Sequence, residues 1–301
     1  MSEKNSQWNR RQFVSALTNT AIASSLLTTK SFSNFFTNDD TTIQQVIDAF
    51  IKTISNAPFS ETVDTIKAGD SSQKVTGIVT TMFATIEVIK KTAELGANFI
   101  IAHEPTFFNH LDKTDWLQND DVYKSKLNLL NDQKIVIWRC HDYIHAHKPD
   151  GVLMGTLQAL EWDKYYDENN PALIQIPQTN LKEIINHTKD KLSIEHVRYV
   201  GDLAQQCKKI VLMPGASGGT RQIESIEKFK PDVLIVGEVN EWETSEYVRN
   251  MQSEDGKTSL LVLGHIVSEE AGMQWMKTWL NQNFPSIKTT HIPSLDAFKW
   301  A

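Results

Sequence analysis

The chain has 301 residues, of which 40% are hydrophobic and 22% are charged, and its net charge is −7. This length suffices for one large hydrophobic core or two smaller ones. The basic residues are scattered and do not form the basic stripe that nucleic-acid binding requires, so we expect no nucleic-acid partner. With only two cysteines, Cys140 and Cys207, the chain is not a disulfide-stabilised scaffold.

The N-terminal segment differs in composition from the rest of the chain. Arg10 and Arg11 are followed by Phe13 and by an uncharged, weakly apolar run over 15–27. This pattern is typical of a twin-arginine export signal, and the alternative is an ordinary basic N-terminus on an amphipathic helix. The run is too short and too polar to span a bilayer. We predict a signal and linker over 1–38 and export to the periplasm by the twin-arginine machinery, with a cytoplasmic location as the alternative.

Helical spacing and short β-branched runs alternate through the first half of the folded region. Apolar residues recur at helical spacing over 46–54, and the run 75–82 predicts a strand. A helix over 86–95, closed by Gly96, leads to a strand over 98–102. This strand–helix–strand unit predicts parallel strands, and therefore an α/β fold.

The same alternation continues to the end of the chain. Further strands are predicted over 134–140, 197–200, 209–213, 233–236 and 259–264. A glycine-rich loop over 215–219 separates a strand from a helix. Its backbone amides could cradle an anion, or it could be a tight turn without a ligand, and the sequence leaves both readings open.

Histidines and carboxylates recur where three of the predicted strands end. A single histidine at a strand end is usually an ordinary polar residue. The prediction of a functional site therefore depends on finding such residues at three strand ends. In open parallel sheets, ligands gather at the carboxyl ends of the strands. His265 and Glu269 are four residues apart and would share one helix face. The candidate side chains are His103, Glu104, His141, Asp142, His145, His265 and Glu269.

Imidazole and carboxylate ligands together predict a centre of two divalent metal ions, which can activate water for hydrolysis. Mixed nitrogen and oxygen ligands suit zinc, manganese and iron equally, so the sequence does not choose among them.

These segments resemble the Nif-three-like dinuclear metal-centre family, often labelled GTP cyclohydrolase I type 2-like. The resemblance extends from about Gly69 to the C-terminus. The segments that carry it are Gly69-Asp70, 73–79, 93–98, 101–108, 215–219, Val236-Gly237-Glu238, Gly264-His265 and Ser268-Glu269.

The resemblance implies five metal ligands, which are His103, Glu104, His145, His265 and Glu269. Glu104 lies where the family has the second of two histidines, and His145 lies where the family has an aspartate. The two departures leave three histidines and two carboxylates, as in the family. His141 and Asp142 are interpreted as outer groups that orient the ligands, or as a proton acceptor.

The resemblance also implies an architecture of two α/β domains assembled into a toroidal hexamer. The metal-binding domain would comprise 39–155 together with 258–301, and the middle domain 156–257. The resulting hypothesis is an exported metal-dependent hydrolase that acts on a small molecule of unknown structure. A non-enzymatic metal-binding or assembly protein is the alternative, and a relative without any metal is the third possibility.

Overall fold

The computed structural model describes residues 40–254 and 256–300. The predicted export signal and its linker lie outside the described residues. Two five-stranded sheets form the framework, as a mixed α/β fold requires. The described strands are β1 (Ile66–Ala68), β2 (Ile78–Thr81), β3 (Phe99–Ala102), β4 (Val136–Arg139), β5 (Leu173–Asn180), β6 (Arg198–Val200), β7 (Gln206–Met213), β8 (Val233–Val236), β9 (Ser259–Val262) and β10 (Thr289–His291).

Helices precede, connect and follow these strands. The described α-helices are α1 (Ile43–Ile51), α2 (Ile86–Glu94), α3 (Asp121–Asp132), α4 (Asp142–Ala146), α5 (Gly151–Ala159), α6 (Leu181–Leu192), α7 (Gly219–Phe229), α8 (Glu246–Ser253) and α9 (His265–Asn283). Short 3₁₀ turns cover Asp115–Leu117 and Asp163–Tyr165, and a π-helical turn covers Glu241–Ser245. Within the part of the chain that the structure describes, no helix is long and apolar enough to cross a membrane.

The first sheet has the strand order β1-β4-β3-β2-β10. Strands β2, β3, β4 and β10 run parallel, and β1 pairs antiparallel with β4 at one edge. The predicted strand–helix–strand unit is confirmed, because β2 and β3 pair in parallel on either side of α2. Every residue of β2, β3 and β4 is buried, which is expected for parallel strands covered on both faces.

The second sheet has the strand order β5-β7-β8-β9-β6, with β7, β8 and β9 parallel and the two edge strands antiparallel. Strand β9 lies in this sheet, although the predicted domain limits group its residues with the first domain. The chain returns to the first sheet only after β9. Helix α9 packs there on β2, where Thr80 Oγ1 donates to the carbonyl oxygen of Met273 at 2.9 Å, and β10 pairs with β2.

Helix α9 also packs very closely against α5, because glycines line their contact. A Cβ atom added to Gly155 would lie 2.3 Å from the carbonyl oxygen of Ala271, and one added to Gly272 would lie 2.8 Å from Val152 Cα. The two backbones therefore touch without intervening side chains. This contact fixes the direction of α9, whose first turn faces the carboxyl ends of the parallel strands.

Two smaller features of the fold concern a helix cap and the cysteines. Thr42 caps α1 through a reciprocal hydrogen-bond pair with Gln45. Cys140 and Cys207 are both free and buried. Burial raises the pKa of the Cys140 thiol well above its usual value, so it is a packing residue and not a reactive group.

Candidate metal centre

The first part of the site extends directly from β3. The backbone amide of His103 donates to the carbonyl oxygen of Thr81 at 3.1 Å, and that of Glu104 donates to Met82 at 2.9 Å. Sheet pairing with the chain after β2 thus continues through both residues. As a result, the His103 and Glu104 side chains are held on an ordered backbone at the carboxyl end of the sheet.

The second part follows β4 and is fastened by a carboxylate that the sequence did not reveal. Asp64 is buried and accepts hydrogen bonds from three successive backbone amides, those of His141, Asp142 and Tyr143, at 2.7, 3.0 and 2.7 Å. Burial raises the pKa of Asp64, and these hydrogen bonds oppose that effect. The carboxylate fixes the start of α4, so His141 and His145 lie one helical turn apart on the same side.

The third part lies where β9 passes into α9. Gly264 has φ of 98°, a conformation that glycine adopts readily, and the helix starts with His265. One turn later, the Glu269 carboxylate packs against Gly215, where an added Cβ would lie 2.1 Å from Oε1. Gly215 N also donates to Ser268 Oγ at 3.0 Å. The glycine at 215 is therefore required for the close approach of Glu269.

The glycine-rich loop 215–219 is consequently occupied by the chain itself. Glu269 lies against its first glycine, and the Glu243 carboxylate lies against Gly219, with Oε2 2.3 Å from the position of an added Cβ. Carboxylates of this chain thus lie at both ends of the loop. Of the two readings that the sequence left open, the structure favours a packed turn over an anion cradle.

The three parts converge on one small volume. Ligand atoms of His103, His141 and His145 lie within 4.8 Å of one another, and so do those of His103, Glu104 and Glu269. The helix-borne His265 closes the ring from the other side.

Individual distances show how the carboxylates connect the imidazoles. Glu269 Oε2 lies 3.4 Å from His103 Nε2 and 3.0 Å from His265 Nε2. Glu104 Oε1 lies 3.3 Å from His265 Nε2 and 3.8 Å from His141 Nε2. Each carboxylate is thus shared between two imidazoles, and all five side chains implied by the family resemblance lie in or beside this cluster.

All four histidines of the cluster have their Nδ1 atoms occupied by outer partners. Each partner is a carbonyl or carboxylate oxygen and can only accept, so each Nδ1 carries hydrogen and Nε2 faces the cluster. The four contacts are His103 with the Cys140 carbonyl at 3.1 Å, His141 with Asp142 at 2.9 Å, His145 with Asp150 at 3.0 Å and His265 with Glu238 at 2.8 Å. Metal-binding histidines in proteins are held in this way.

The structure separates the roles of His141 and Asp142, which the sequence treated alike. His141 presents Nε2 to the cluster and is a candidate ligand. Asp142 faces away and accepts hydrogen bonds from Thr62 Oγ1 at 2.7 Å and Val63 N at 3.1 Å, besides its contact with His141. Asp142 therefore orients His141, and its oxygens are not directed at the cluster.

Charges in the cluster are strongly coupled. Burial alone would lower the pKa of His265, but its contacts with Glu104 and Glu269 raise it to about 11. Burial alone would raise the pKa of Glu104, but His265, His103 and His141 lower it to about 2. Burial alone would also raise the pKa of Glu269, but His103 and His265 lower it. Without metal, protons on the histidines balance the buried carboxylates.

The pKa values of the histidines are shifted in different directions. Burial and the charge of His103 lower the pKa of His141 to about 4. His103 is completely buried, which would lower its pKa, but Glu269 and Glu104 beside it raise the pKa instead. Its Nε2 atom has no hydrogen-bond partner with good geometry. A buried, unpartnered imidazole nitrogen between two carboxylates fits a divalent metal ion.

The family comparison covers most of the chain. Residues 41–295 match the family described as Duf34/NIF3 (NGG1p interacting factor 3). The chain belongs to the Duf34/NIF3 family.

Two similar relatives within the Duf34/NIF3 family are clostridial proteins named GTP cyclohydrolase 1 type 2 homolog. The Clostridium perfringens protein is 25% identical over 213 residues, which cover 68% of this chain and 77% of the relative. The Clostridium acetobutylicum protein is 25% identical over 193 residues, which cover 60% of this chain and 70% of the relative.

Solved structures share the Duf34/NIF3 fold at low sequence identity. A Staphylococcus aureus hypothetical protein aligns with a TM-score of 0.70 and 18% identity, over 87% of this chain and all of that protein. A Bacillus cereus protein related to NIF3 aligns with a TM-score of 0.68 and 14% identity, over 88% and 100% of the two chains. These likenesses establish the fold.

Glu104 has an evident structural partner on the side away from the histidines. The buried guanidinium of Arg139 lies with Nη2 3.4 Å from Glu104 Oε2, and its Nε donates to the carbonyl oxygen of His103 at 3.2 Å. Arg139 also lies 3.5 Å from Asp112 Oδ2. A carboxylate at position 104 is thus paired on its outer side with a fixed positive charge, while Oε1 faces the histidines.

Proposed function

We propose that this protein is a metal-dependent hydrolase with a two-metal centre. The observation that supports the proposal best is a cluster of four imidazoles, each held through Nδ1, in which His103, His141 and His265 present Nε2 to two shared carboxylates. The proposed ligands are His103, Glu104, His141, His145, His265 and Glu269. This set adds His141 to the five residues that the family resemblance implied.

When bound here, divalent ions would supply Lewis acidity, which polarises a substrate carbonyl or phosphoryl group and lowers the pKa of water toward neutrality. Glu269 lies between His103 and His265 and would hold metal together with these two imidazoles. Glu104 plays the corresponding part toward His265 and His141, with Arg139 holding its outer oxygen.

Proton transfer to solvent would use a different carboxylate. Glu238 is half-exposed, lines the cavity beside the cluster and contacts His265 Nδ1. It is therefore placed to carry a proton between the site and bulk water. Asp142 and Asp150 are held on the outer side of the cluster, where they orient His141 and His145.

The number of ions bound per protomer distinguishes the proposed hydrolase from a protein in which the metal has only a structural role. Six donors shared by two ions leave coordination positions open for water and substrate, as in catalytic sites. The same six donors around a single ion would saturate it, as in a structural site. Two ions per protomer therefore favour the hydrolase, and one ion favours the non-enzymatic alternative.

The experiment is elemental analysis of the purified full chain, combined with a hydrolysis screen of ester, amide and phosphoester substrates. Glu104→Ala and His145→Ala should each lower metal content and hydrolysis together, and Glu94→Ala, at an exposed residue outside the cluster and the cavity, should leave both unchanged. Full metal content in both cluster variants would remove these residues from the proposed ligands. Metal without hydrolysis across the screen would favour the non-enzymatic alternative.

We also propose export by the twin-arginine route and assembly into a hexamer. The export proposal rests on Arg10 and Arg11 in the sequence, and the hexamer rests on the family resemblance. Replacing both arginines by lysine should retain the protein inside the cell. Normal delivery of that variant to the periplasm would contradict the export proposal, and light scattering of the pure protein tests the hexamer.

A further inference from the structure

A cavity of about 1290 Å³ opens directly beside the metal centre. Glu104, His265 and Glu238 form part of its inner wall, so a molecule in the cavity reaches the cluster. Its volume exceeds the roughly 300–1,000 Å³ that is typical of small-molecule sites. The cavity can therefore hold a substrate with a body much larger than the group that reacts.

Most of the wall away from the cluster is apolar. Phe83, Ile86, Leu263 and Ile266 line its interior. Eleven large apolar side chains are exposed among the residues that the structure describes, and five of these line this one cavity. These five are Phe108, Val122, Leu295, Phe298 and Trp300. Exposed apolar surface concentrated in one place marks a binding site, because covering it with a ligand is favourable.

The C-terminal segment builds one side of the cavity mouth. After β10, the chain brings Leu295 and Phe298 to the opening, where they are 67% and 85% exposed. The Trp300 ring contacts the His196 ring across 4.9 Å. An apolar ligand would bury these side chains and the facing Phe108.

The charges in the lining do not suit a polyanion. Four carboxylates line the cavity, against one lysine and one arginine. Both cations are already engaged. Lys126 donates to the carbonyl oxygen of Thr106 at 2.7 Å and lies over the Phe108 ring, and Arg198 pairs with Glu241 at 2.9 Å. In the metal-free protein, a nucleoside triphosphate would therefore meet more negative than positive side chains here.

We infer that this cavity binds the apolar acyl or aryl body of an uncharged ester or amide, and that nucleoside triphosphates are not its ligands. The placement of the scissile carbonyl at the Glu104 and His265 end rests on the proposed hydrolase function, whereas apolar binding does not. Hydrolysis adds the oxygen of water to the carbonyl carbon and breaks the bond to the leaving oxygen or nitrogen. The leaving group then takes up a proton, giving an acid and an alcohol or amine.

Binding is tested first, on metal-free full-length protein, with the neutral fluorescent probe N-phenyl-1-naphthylamine. We expect saturable binding that Phe108→Asp and Phe298→Asp each weaken at least tenfold. Trp242→Asp is the matched control, because Trp242 is 76% exposed and lies outside the cavity lining. Excess GTP should not displace the probe. Equal weakening by the control, or displacement by GTP at a concentration near that of the protein, would overturn the assignment.

Hydrolysis is tested second, with p-nitrophenyl esters of increasing acyl length and metal-loaded protein. We expect kcat/KM to rise with acyl length, and we expect the rise to be lost in Phe298→Asp and retained in Trp242→Asp. Probe binding without hydrolysis of any ester would reject the hydrolase and keep the apolar site. A change in oligomeric state in Phe298→Asp with unaltered probe binding would show that a second copy of this chain covers the surface, which rejects the site.

Discussion

The two sides of the metal centre are built in different ways. His103, His141 and His145 come from one stretch of chain at the end of the first sheet, and Asp64 fixes the backbone there. His265 and Glu269 come from the first turn of α9, which follows a strand of the second sheet. The first side is held by hydrogen bonds within the first sheet and by the buried Asp64 carboxylate, whereas the position of the second depends on how α9 packs.

The groups that contact Nδ1 of the histidines also differ between the two sides. Asp142 and Asp150 lie one and five residues from His141 and His145, which they hold, and the Cys140 carbonyl reaches His103 from the end of the neighbouring strand β4. Glu238, the partner of His265, is half-exposed and comes from the chain after β8. If these residues hold metal as proposed, we expect the first side to be preorganised for it and the second side to adjust the affinity and the number of ions.

The largest effect is expected where the two sides meet. His103→Ala removes the one imidazole that contributes to both groups of candidate ligands and leaves Glu104 and Glu269 buried with less compensation. Metal affinity should fall by more than the roughly 10–100-fold that loss of an outer partner costs. The metal-free protein should lose about 3 kcal/mol of unfolding free energy, because a buried charge cluster is broken.

Titration calorimetry with zinc and urea unfolding of the metal-free protein measure these two effects. His196→Ala is the control, because His196 is exposed and lies outside the cluster. It should change neither the metal affinity nor the free energy of unfolding. Wild-type metal affinity in His103→Ala would show that the two sides do not share this residue as a ligand.

Removing His265 alone should lower metal binding less than removing His103. His265→Ala leaves His103, His141 and His145 in place, and these three donors suffice for one ion. We expect elemental analysis to show a decrease from two ions to one per protomer. Loss of both ions would mean that the first side cannot hold metal by itself, contrary to the comparison.

Metal binding should also depend on pH differently on the two sides. The pKa of His265 is raised to about 11, so at neutral pH this residue is protonated until metal displaces the proton. The pKa of His141 is lowered to about 4, so it releases none. Metal affinity should therefore rise with pH, by about tenfold per pH unit for each proton displaced.

Calorimetry in two buffers with different ionisation enthalpies counts the protons released per ion at pH 7. His265→Ala should lower that count by about one, and a variant in His141 should leave it unchanged. An affinity that is independent of pH between 6 and 8 would contradict the charge balance described for the metal-free cluster.

The smallest effects are expected from the outer partners. Asp150→Asn retains a side chain that caps α5 but removes the charge beside His145, and metal affinity should fall about tenfold. Glu238→Gln should cost less, because Glu238 is half-exposed and water can replace it. Titration with zinc compares the two variants directly. A larger loss in Glu238→Gln would reverse the proposed order of the two sides.

The strand ends and their histidines could be predicted because they depend on local patterns. Buried parallel strands give continuous apolar runs such as Phe99–Ala102, and the polar residue that follows such a run marks the strand end. The pairing of His265 with Glu269 was predictable for a similar reason, since residues four apart share one helix face.

The residues that hold the site could not be predicted in this way. Asp64 lies 77 residues before His141 in the sequence, and its role arises only when the two segments meet in the fold. Arg139 follows the apolar run of β4, and sequence alone does not show that its guanidinium turns toward Glu104. Both side chains are buried and charged, which is acceptable only because of partners distant in sequence.

The origin of the ligands from 103–145 and 265–269 has a consequence for the order of events during synthesis. A nascent chain that has emerged only to α5 already carries the three histidines of the first side, but it lacks the helix that supplies Glu269. The complete set of ligands exists only once the last part of the chain has folded onto the first sheet. On the proposed function, ions bound to the whole set would stabilise the folded state over every shorter intermediate, and metal would act only at the last stage of folding.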